Sequence, residues 1–252
     1  RIRLGTAISL LPFENPLRKA EDFAMVDILS NGRLDFGVGR GSIAKHFEGF
    51  RVPPQQSRAR YEEALTIIKK AWTRETFSHE GTFWRIPPLS VSPKPLQKPT
   101  PPIYRGTVMM ESFEVAGAVG DNAFVVPWLS GPHQDVRKRV QRYRTVLKEH
   151  GHGPKRTTFI FFMFVDQDHR VALREGREVT GAYAHRTTQF LATAAQEKLP
   201  KTHPLAQFLT LVRSMPDNIE ERAVVGTPAD CRRRLHELDD EFGLDQVAFY
   251  FH

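Results

Sequence analysis

Hydrophobic positions along this chain fall into two spacings, and their alternation predicts six strands interleaved with helices. Ile2 to Leu11 is rich in aliphatic and β-branched residues and stops at Pro12, which reads as a strand. A helix follows, with Asn15 as its cap, Pro16 in its first turn, Leu17, Ala20, Ala24 and Ile28 at helical spacing, and Asn31-Gly32 as its end. From Arg33 to Gly41, Leu34, Phe36 and Val38 alternate with Asp35, Gly37 and Gly39. The expected strand is bulky on one face and nearly bare on the other. A second amphipathic helix, from about Arg58 to Trp72, carries Tyr61, Leu65, Ile68 and Trp72 on one side.

Seven prolines between Phe83 and Ile103 exclude helix and interior strand, and predict an extended surface connection. This stretch could serve as a ligand for a proline-binding domain, but an ordinary connection is the stronger reading. A third strand spans Pro102 to Thr107, and a helix begins near Ser112. Asn122 to Trp128 is an apolar run of strand length. The helix from about His133 to His150 turns Val136, Val140, Tyr143 and Leu147 inward and its basic residues outward, and Gly151 and Gly153 end it. Thr157 to Val165 has the continuous apolar character of a parallel strand covered on both faces. Between Ala172 and Arg222 the pattern is helical but poorly periodic, with Pro200, Pro204 and Pro216 as breaks. Thr227, Pro228 and Asp230 then open a helix that turns Leu235, Leu238 and Phe242 inward. Gly243 closes it, and Gln246 to Phe251 forms a last strand. Strands alternating with helices imply parallel strands joined by right-handed crossovers.

Composition narrows the class. The chain has 252 residues, 40% hydrophobic and 26% charged, as in a globular domain of one core, and this length is typical of an α/β barrel. No run reaches the roughly 18 apolar residues of a membrane span, and no signal peptide is visible, so a cytoplasmic protein is expected. A single cysteine, Cys231, can form neither an internal disulfide nor a thiolate cage. The net charge of +7 raises the question of nucleic acid, but acidic residues interrupt most of the basic ones. Anionic small molecules are the better match to such a surface. His150 and His152 have no third ligand nearby in the sequence and read as exposed histidines beside a helix end, so no metal site is expected.

The glycines after the second strand carry the clearest chemistry. Gly37, Gly39 and Gly41 resemble part of a dinucleotide fingerprint, but the following residues read as loop and not as the required helix. Small residues at the C-terminal end of a barrel strand instead leave space for a planar ligand beside the backbone. Gly5, Ala7 and Ser9 repeat this small face on the first strand, where a packed barrel normally holds bulky residues.

The run from Leu4 to Gly41 resembles the bacterial luciferase-like flavin monooxygenase family, through Gly5-Thr6, Ala20-Glu21-Asp22, Asp27, Leu29-Ser30, Gly32-Arg33 and Phe36-Gly37 with Arg40-Gly41. Further matches follow in order: Arg60-Tyr61-Glu62, Phe77 to Gly81, Pro95 to Pro99, Pro101 to Tyr104, Ser112 with Ala116-Gly117 and Gly120, and Val225 to Pro228. The resemblance implies a (β/α)8 TIM barrel that binds reduced FMN (FMNH2) at the C-terminal ends of its strands and activates dioxygen as a flavin hydroperoxide. It implies a small organic substrate of unassigned identity, a separate flavin reductase as partner and a homodimer. It also implies that Arg40 binds the flavin phosphate, for which a guanidinium is suited. Arg60 is a second phosphate candidate with Arg58 as its rival, and Ser112 resembles the family's hydroxyl residue near a helix start. Met109 stands where many members carry a second hydroxyl, so its contact is expected through backbone. Gly39 belongs to the same cofactor-binding set, and the Ala7-Ile8 link matches the family's non-prolyl cis peptide beneath the isoalloxazine ring.

Alternatives accompany each assignment. Arg40 and Arg60 could pair with surface carboxylates. Arg105, where an apolar residue is usual, either meets an acidic substrate in the pocket or pairs with Asp35. None of the ten histidines matches the family's catalytic position, so no catalytic residue is assigned. A coenzyme F420-dependent oxidoreductase on the same fold and a non-catalytic flavin-binding subunit are the competing functions. The six strands resemble strands 3 to 8 of the barrel, with residues 172 to 222 as a variable insertion. Two further β/α units of roughly 30 residues each are therefore expected before Arg1, with a closing helix after His252.

Overall fold

The computed structural model describes residues 2–191 and 204–250. The chain forms two compact units, Arg1–Gly106 and Thr107–His252.

In the first unit, the expected opening strand is two short pieces, β1 (Leu4–Gly5) and β2 (Ser9–Leu10), both parallel to β3 (Leu34–Gly39). Leu4 lies beside Leu34 but Ser9 lies beside Val38, so the opening segment carries one residue more than β3 over the same span. Thr6 fills the gap in the ladder: its Oγ1 accepts from Gly37 N at 3.0 Å and donates to Gly37 O at 2.7 Å. The Ala7–Ile8 peptide bond within this interruption is cis.

Helix α1 (Pro16–Leu29) starts as its cap predicts, with Asn15 Oδ1 accepting from Leu17 N at 2.9 Å. Its buried stripe differs from the expected one: Asp27 is fully buried, whereas Ile28 is 41% exposed. The reason lies in the long connection. Gln97 donates to Asp27 from its backbone N at 2.8 Å and from its Nε2 at 2.7 Å, and so draws the carboxylate inward.

After β3 come the short helix α2 (Ala44–Gly49) and α3 (Ser57–Thr73), whose Tyr61, Leu65, Ile68 and Trp72 are buried against Leu34, Phe36 and Val38. An unforeseen hairpin, β4 (Phe77–Glu80) with β5 (Arg85–Leu89), leads into the proline-rich stretch. Pro87 and Pro88 fit there because this sheet has two strands and each has an open edge. β6 (Ile103–Thr107) completes the unit, parallel to β3 with Val38 beside Arg105.

The second unit runs through α4 (Met110–Val119), β7 (Asn122–Val125), α5 (His133–Glu149), β8 (Thr157–Val165), α6 (His169–Leu191), α7 (Pro204–Arg213), α8 (Ile219–Arg222), β9 (Val224–Gly226), α9 (Pro228–Phe242) and β10 (Gln246–Tyr250). β8 is the hub: β7, β9 and β10 all pair with it in parallel. Phe159 and Phe161 of β8 pack under α4, α5 and α9, while Phe162 and Phe164 pack with Trp128 and the α6–α8 region. Covering both faces explains the strand's unbroken apolar run. β9 is an additional short strand that its three residues did not announce. Part of the expected 172–222 insertion, residues 192–203 including Pro200, lies outside the described residues, as does Phe251 of the last strand.

Candidate functional site

The C-terminal end of β3 is where the sequence places its most telling residues. Gly39 is buried, and a side chain there would meet Ile8: a Cβ would come within 1.9 Å of Ile8 Cδ1. The same Ile8 atom lies 3.1 Å from the Cβ position of Gly106 on β6. The bare face of β3 is therefore no open slot. Ile8 fills it, and the expected small face of Gly5, Ala7 and Ser9 is corrected here: the extra residue in the opening segment brings Ile8 over Gly39. Ile8 remains 36% exposed, so it forms an apolar floor on which a flat ligand could rest. Ala7 is exposed beside it.

Arg40 follows Gly39 directly. It is exposed, and it has no hydrogen bond or ion pair among the described residues. Gly41, at φ +81°, turns the chain next to Phe13, which stacks on Phe50 at 5.1 Å and meets Phe47 edge-on at 4.9 Å. An apolar floor, an uncommitted guanidinium and an aromatic wall thus occur within a few residues.

Arg60 is placed differently. Its guanidinium lies over the Phe83 ring at 4.5 Å, and its Nε donates to Gln56 Oε1 at 3.1 Å. Its rival Arg58 is exposed. Beside Arg60, Glu63 accepts from the backbone N of Thr82, Phe83 and Trp84 and contacts His79 Nε2 at 3.2 Å. Desolvation opposes these bonds, yet together they hold its carboxyl below the usual carboxylate range. Glu63 is the anchor of the β4–β5 turn.

The expected pairing of Arg105 with Asp35 is overturned. Arg105 is 5% exposed and shares the Ile103 face of β6, from which it donates to Glu62 at 2.6 and 3.1 Å and lies over Tyr61. Asp35 is taken instead by Arg3, in a two-pronged pair at 2.7 and 2.8 Å that raises the guanidinium pKa through the Asp35 hydrogen bond. Arg3, Asp35, Gln97 and Asp27 form one network at the N-terminal end of β3. That is the end where barrels keep stabilising residues. A cavity of about 410 Å³ lined by Ile2, Leu29, Ser30, Asn31 and Arg33 lies at the same end, away from Arg40.

In the second unit, Met109 is the residue before α4, and it supplies no side-chain cap. Ser112 Oγ accepts from Val108 N at 3.0 Å and donates to Met109 O at 2.6 Å. Its hydroxyl proton is thus engaged, and Ser112 N itself donates to Met109 O at 2.9 Å. Arg139, hidden in the basic run of α5, donates to the carbonyls of Val108 and Ser130. Nothing in the helical spacing distinguished it from its outward neighbours. His150 and His152 each contact a backbone carbonyl, of Val146 and Ala118, at 3.0 Å. No metal-binding cluster occurs among the described residues, and no described helix is long and apolar enough to cross a membrane.

The family described as luciferase-like monooxygenase matches residues 1–246. The oxygenase component of a flavin-dependent trigonelline monooxygenase from Acinetobacter baylyi is 34% identical over 151 residues, which are 59% of this chain and 41% of that relative. The chain thus spans less than half the length of this curated relative. The crystal structure of monooxygenase RslO1 from Streptomyces bottropensis superposes with a TM-score of 0.80 at 27% identity, covering 99% of this chain and 70% of that one. An F420-dependent secondary alcohol dehydrogenase in complex with an F420–acetone adduct shares the fold, with a TM-score of 0.77 at 17% identity, covering 99% of this chain and 73% of that one.

Proposed function

This chain belongs to the luciferase-like monooxygenase family, and from that premise we propose that it acts in the oxygenase component of a two-component system, with reduced FMN delivered by a separate flavin reductase. The observation that carries the reading is the pairing of the Ile8 floor on Gly39 with the uncommitted guanidinium of Arg40 one residue further on. An isoalloxazine ring needs a flat apolar support, and its phosphate tail needs a fixed cation. The residues present fit both needs.

When bound, reduced FMN supplies the two electrons with which O2 yields one oxygen atom to an organic substrate and one to water. Ile8, with Ala7 beside it, supports the ring. Gly39 and Gly106 leave Ile8 the room to do so. Arg40 takes the phosphate. Arg60 remains a second phosphate candidate if its guanidinium leaves Phe83. Met109, through its backbone, and Ser112 remain candidates on the family resemblance. A homodimer is part of the same proposal.

Stopped-flow mixing of the anaerobic protein–FMNH2 complex with oxygen tests the reading. Reoxidation is expected in resolved phases and more slowly than for free FMNH2. Reoxidation indistinguishable from that of free FMNH2 would rule the monooxygenase reading out. The second reading, an F420-dependent oxidoreductase, draws on the likeness to the F420-dependent dehydrogenase. It predicts instead that the protein binds F420 and leaves FMNH2 reoxidation unchanged.

A further inference from the structure

Two buried tryptophans differ in how their indole N–H groups are satisfied. Trp72 and Trp128 are both 2% exposed, and Trp72 Nε1 donates to the Ala20 carbonyl at 2.9 Å. The Trp128 indole N–H is just as enclosed, yet it has no acceptor among the described residues. A buried donor without an acceptor keeps the full cost of its lost hydration, and native interiors leave few such groups unpaired. The neighbouring ring does not remove that cost: Tyr183 stands perpendicular to Trp128 at 5.2 Å, and a ring face is a weak acceptor.

Position and company point to a ligand. Trp128 lies in the turn Pro127–Leu129 that follows β7, and Tyr250 ends β10, so both stand at C-terminal ends of parallel strands, the edge where such sheets bind ligands. Phe162 of β8 joins them. Its ring centre is 5.2 Å from that of Trp128, 5.3 Å from that of Tyr183 and 5.1 Å from that of Tyr250, which stacks on it. Trp128 and Phe162 are the buried members, whereas Tyr183 is half-buried and Tyr250 is 43% exposed. The cluster therefore meets solvent on its tyrosine side. Burial pushes both tyrosine hydroxyls up from their ordinary value, so they stay neutral, and Met215, Ile219 and Val225 pack around the rings. Such a lining favours a neutral, flat ring. The one unmatched polar group requires that this ring carry an acceptor.

We propose that Trp128, Phe162, Tyr183 and Tyr250 form a binding site for a neutral aromatic ligand bearing a carbonyl group, which enters on the tyrosine side as the Tyr183 ring turns aside and accepts from the Trp128 indole N–H. The four residues all belong to the second unit. That the ligand is the organic substrate rests on the oxygenase reading, and the binding itself does not. Acetophenone and ethylbenzene are the probes, because they match in shape and only acetophenone has an acceptor. Indole N–H resonances of the isotope-labelled, flavin-free protein report binding, since the chain has three tryptophans and Trp128→Phe identifies the Trp128 signal. Acetophenone is expected to move that signal saturably and to leave the Trp72 signal in place. Ethylbenzene is expected to bind about tenfold more weakly, the scale of one hydrogen bond. Trp128→Phe keeps an aromatic ring and loses the N–H, so it is expected to bind the two probes equally, as read by saturation transfer to the probe protons. If Trp128→Phe does not fold, Overhauser contacts to Phe162 and Tyr183 assign the signal in wild-type protein, and the comparison of probes stands. A Trp128 signal that neither probe moves, or equal affinity of wild-type protein for both, overturns the site. Binding as expected beside FMNH2 reoxidation indistinguishable from that of the free flavin keeps the site and overturns only its assignment to the substrate.

Discussion

Gly39 has no room for a side chain because Ile8 occupies that space, but the atom in the way is the far end of a partly exposed side chain. In Gly39→Ala, Ile8 is therefore expected to swing outward at a stability cost of about 1 kcal/mol. It would then stand where the flavin ring is proposed to rest. Thermal denaturation should show a small loss, and flavin titration a large one that Ile8→Ala in the same chain partly restores. For Arg40→Ala, FMN affinity is expected to fall by roughly tenfold to a hundredfold, as for a lost charge-assisted contact, with riboflavin affinity little changed. Equal effects on both flavins would refute its phosphate role. At this scale the sequence proposed Gly39 and Arg40 together, from the bare strand end and the family resemblance. That Ile8 covers Gly39 was not legible, since it depends on one surplus residue in a neighbouring segment.

At the scale of elements, caps and buried carboxylates were read with unequal success. The start of α9 follows its sequence: Thr227 Oγ1 accepts from Asp230 N, and Asp230 accepts in return from Thr227 N. The Thr227 hydroxyl first, then Arg233, the Thr227 backbone and His169, hold the Asp230 carboxyl well below the usual carboxylate range. With the folded-state pKa depressed, the unfolded chain takes up the proton first. This carboxylate therefore contributes its full stability above about pH 4, and loses it as pH falls further. Asp230→Asn should lower the melting temperature at neutral pH, and its gap from wild type should close in acid. Asp27 shows the reverse case, a polar residue on an expected apolar stripe. Asp27→Ala strands two donors of Gln97 and is expected to cost about 3 kcal/mol, measured by urea unfolding. The β4–β5 hairpin and β9 were missed for separate reasons. Two prolines argued against a strand that turned out to lie in a two-stranded sheet, and three residues are too few to show a period.

For the whole molecule, net charge acts before any single contact does. With +7 on the chain, the association rate of anionic FMN is expected to fall several-fold as ionic strength rises, while that of riboflavin stays nearly constant. Stopped-flow binding at low and high salt checks this. Much of the resemblance to the family comes from residues that work far from Arg40: Asp27 and Gln97 join Arg3 and Asp35 at the N-terminal end of β3, and Arg33 bonds the Ser30 and Ile2 carbonyls. These identify the fold and say little about substrate. By itself the sequence determined the alternation of parallel strands and helices, their caps and the identity of the family, because periodicity, capping and short ordered motifs are local properties. Tertiary structure alone decided that Arg105 meets Glu62, that Arg3 takes Asp35, that Ile8 fills the glycine face and that Arg139 holds two strand-end loops. Apart from the Arg139–Ser130 contact, nine positions apart, each of these pairs residues about 30 or more positions apart or turns on a one-residue shift in register, and spacing along a single element carries no information about either.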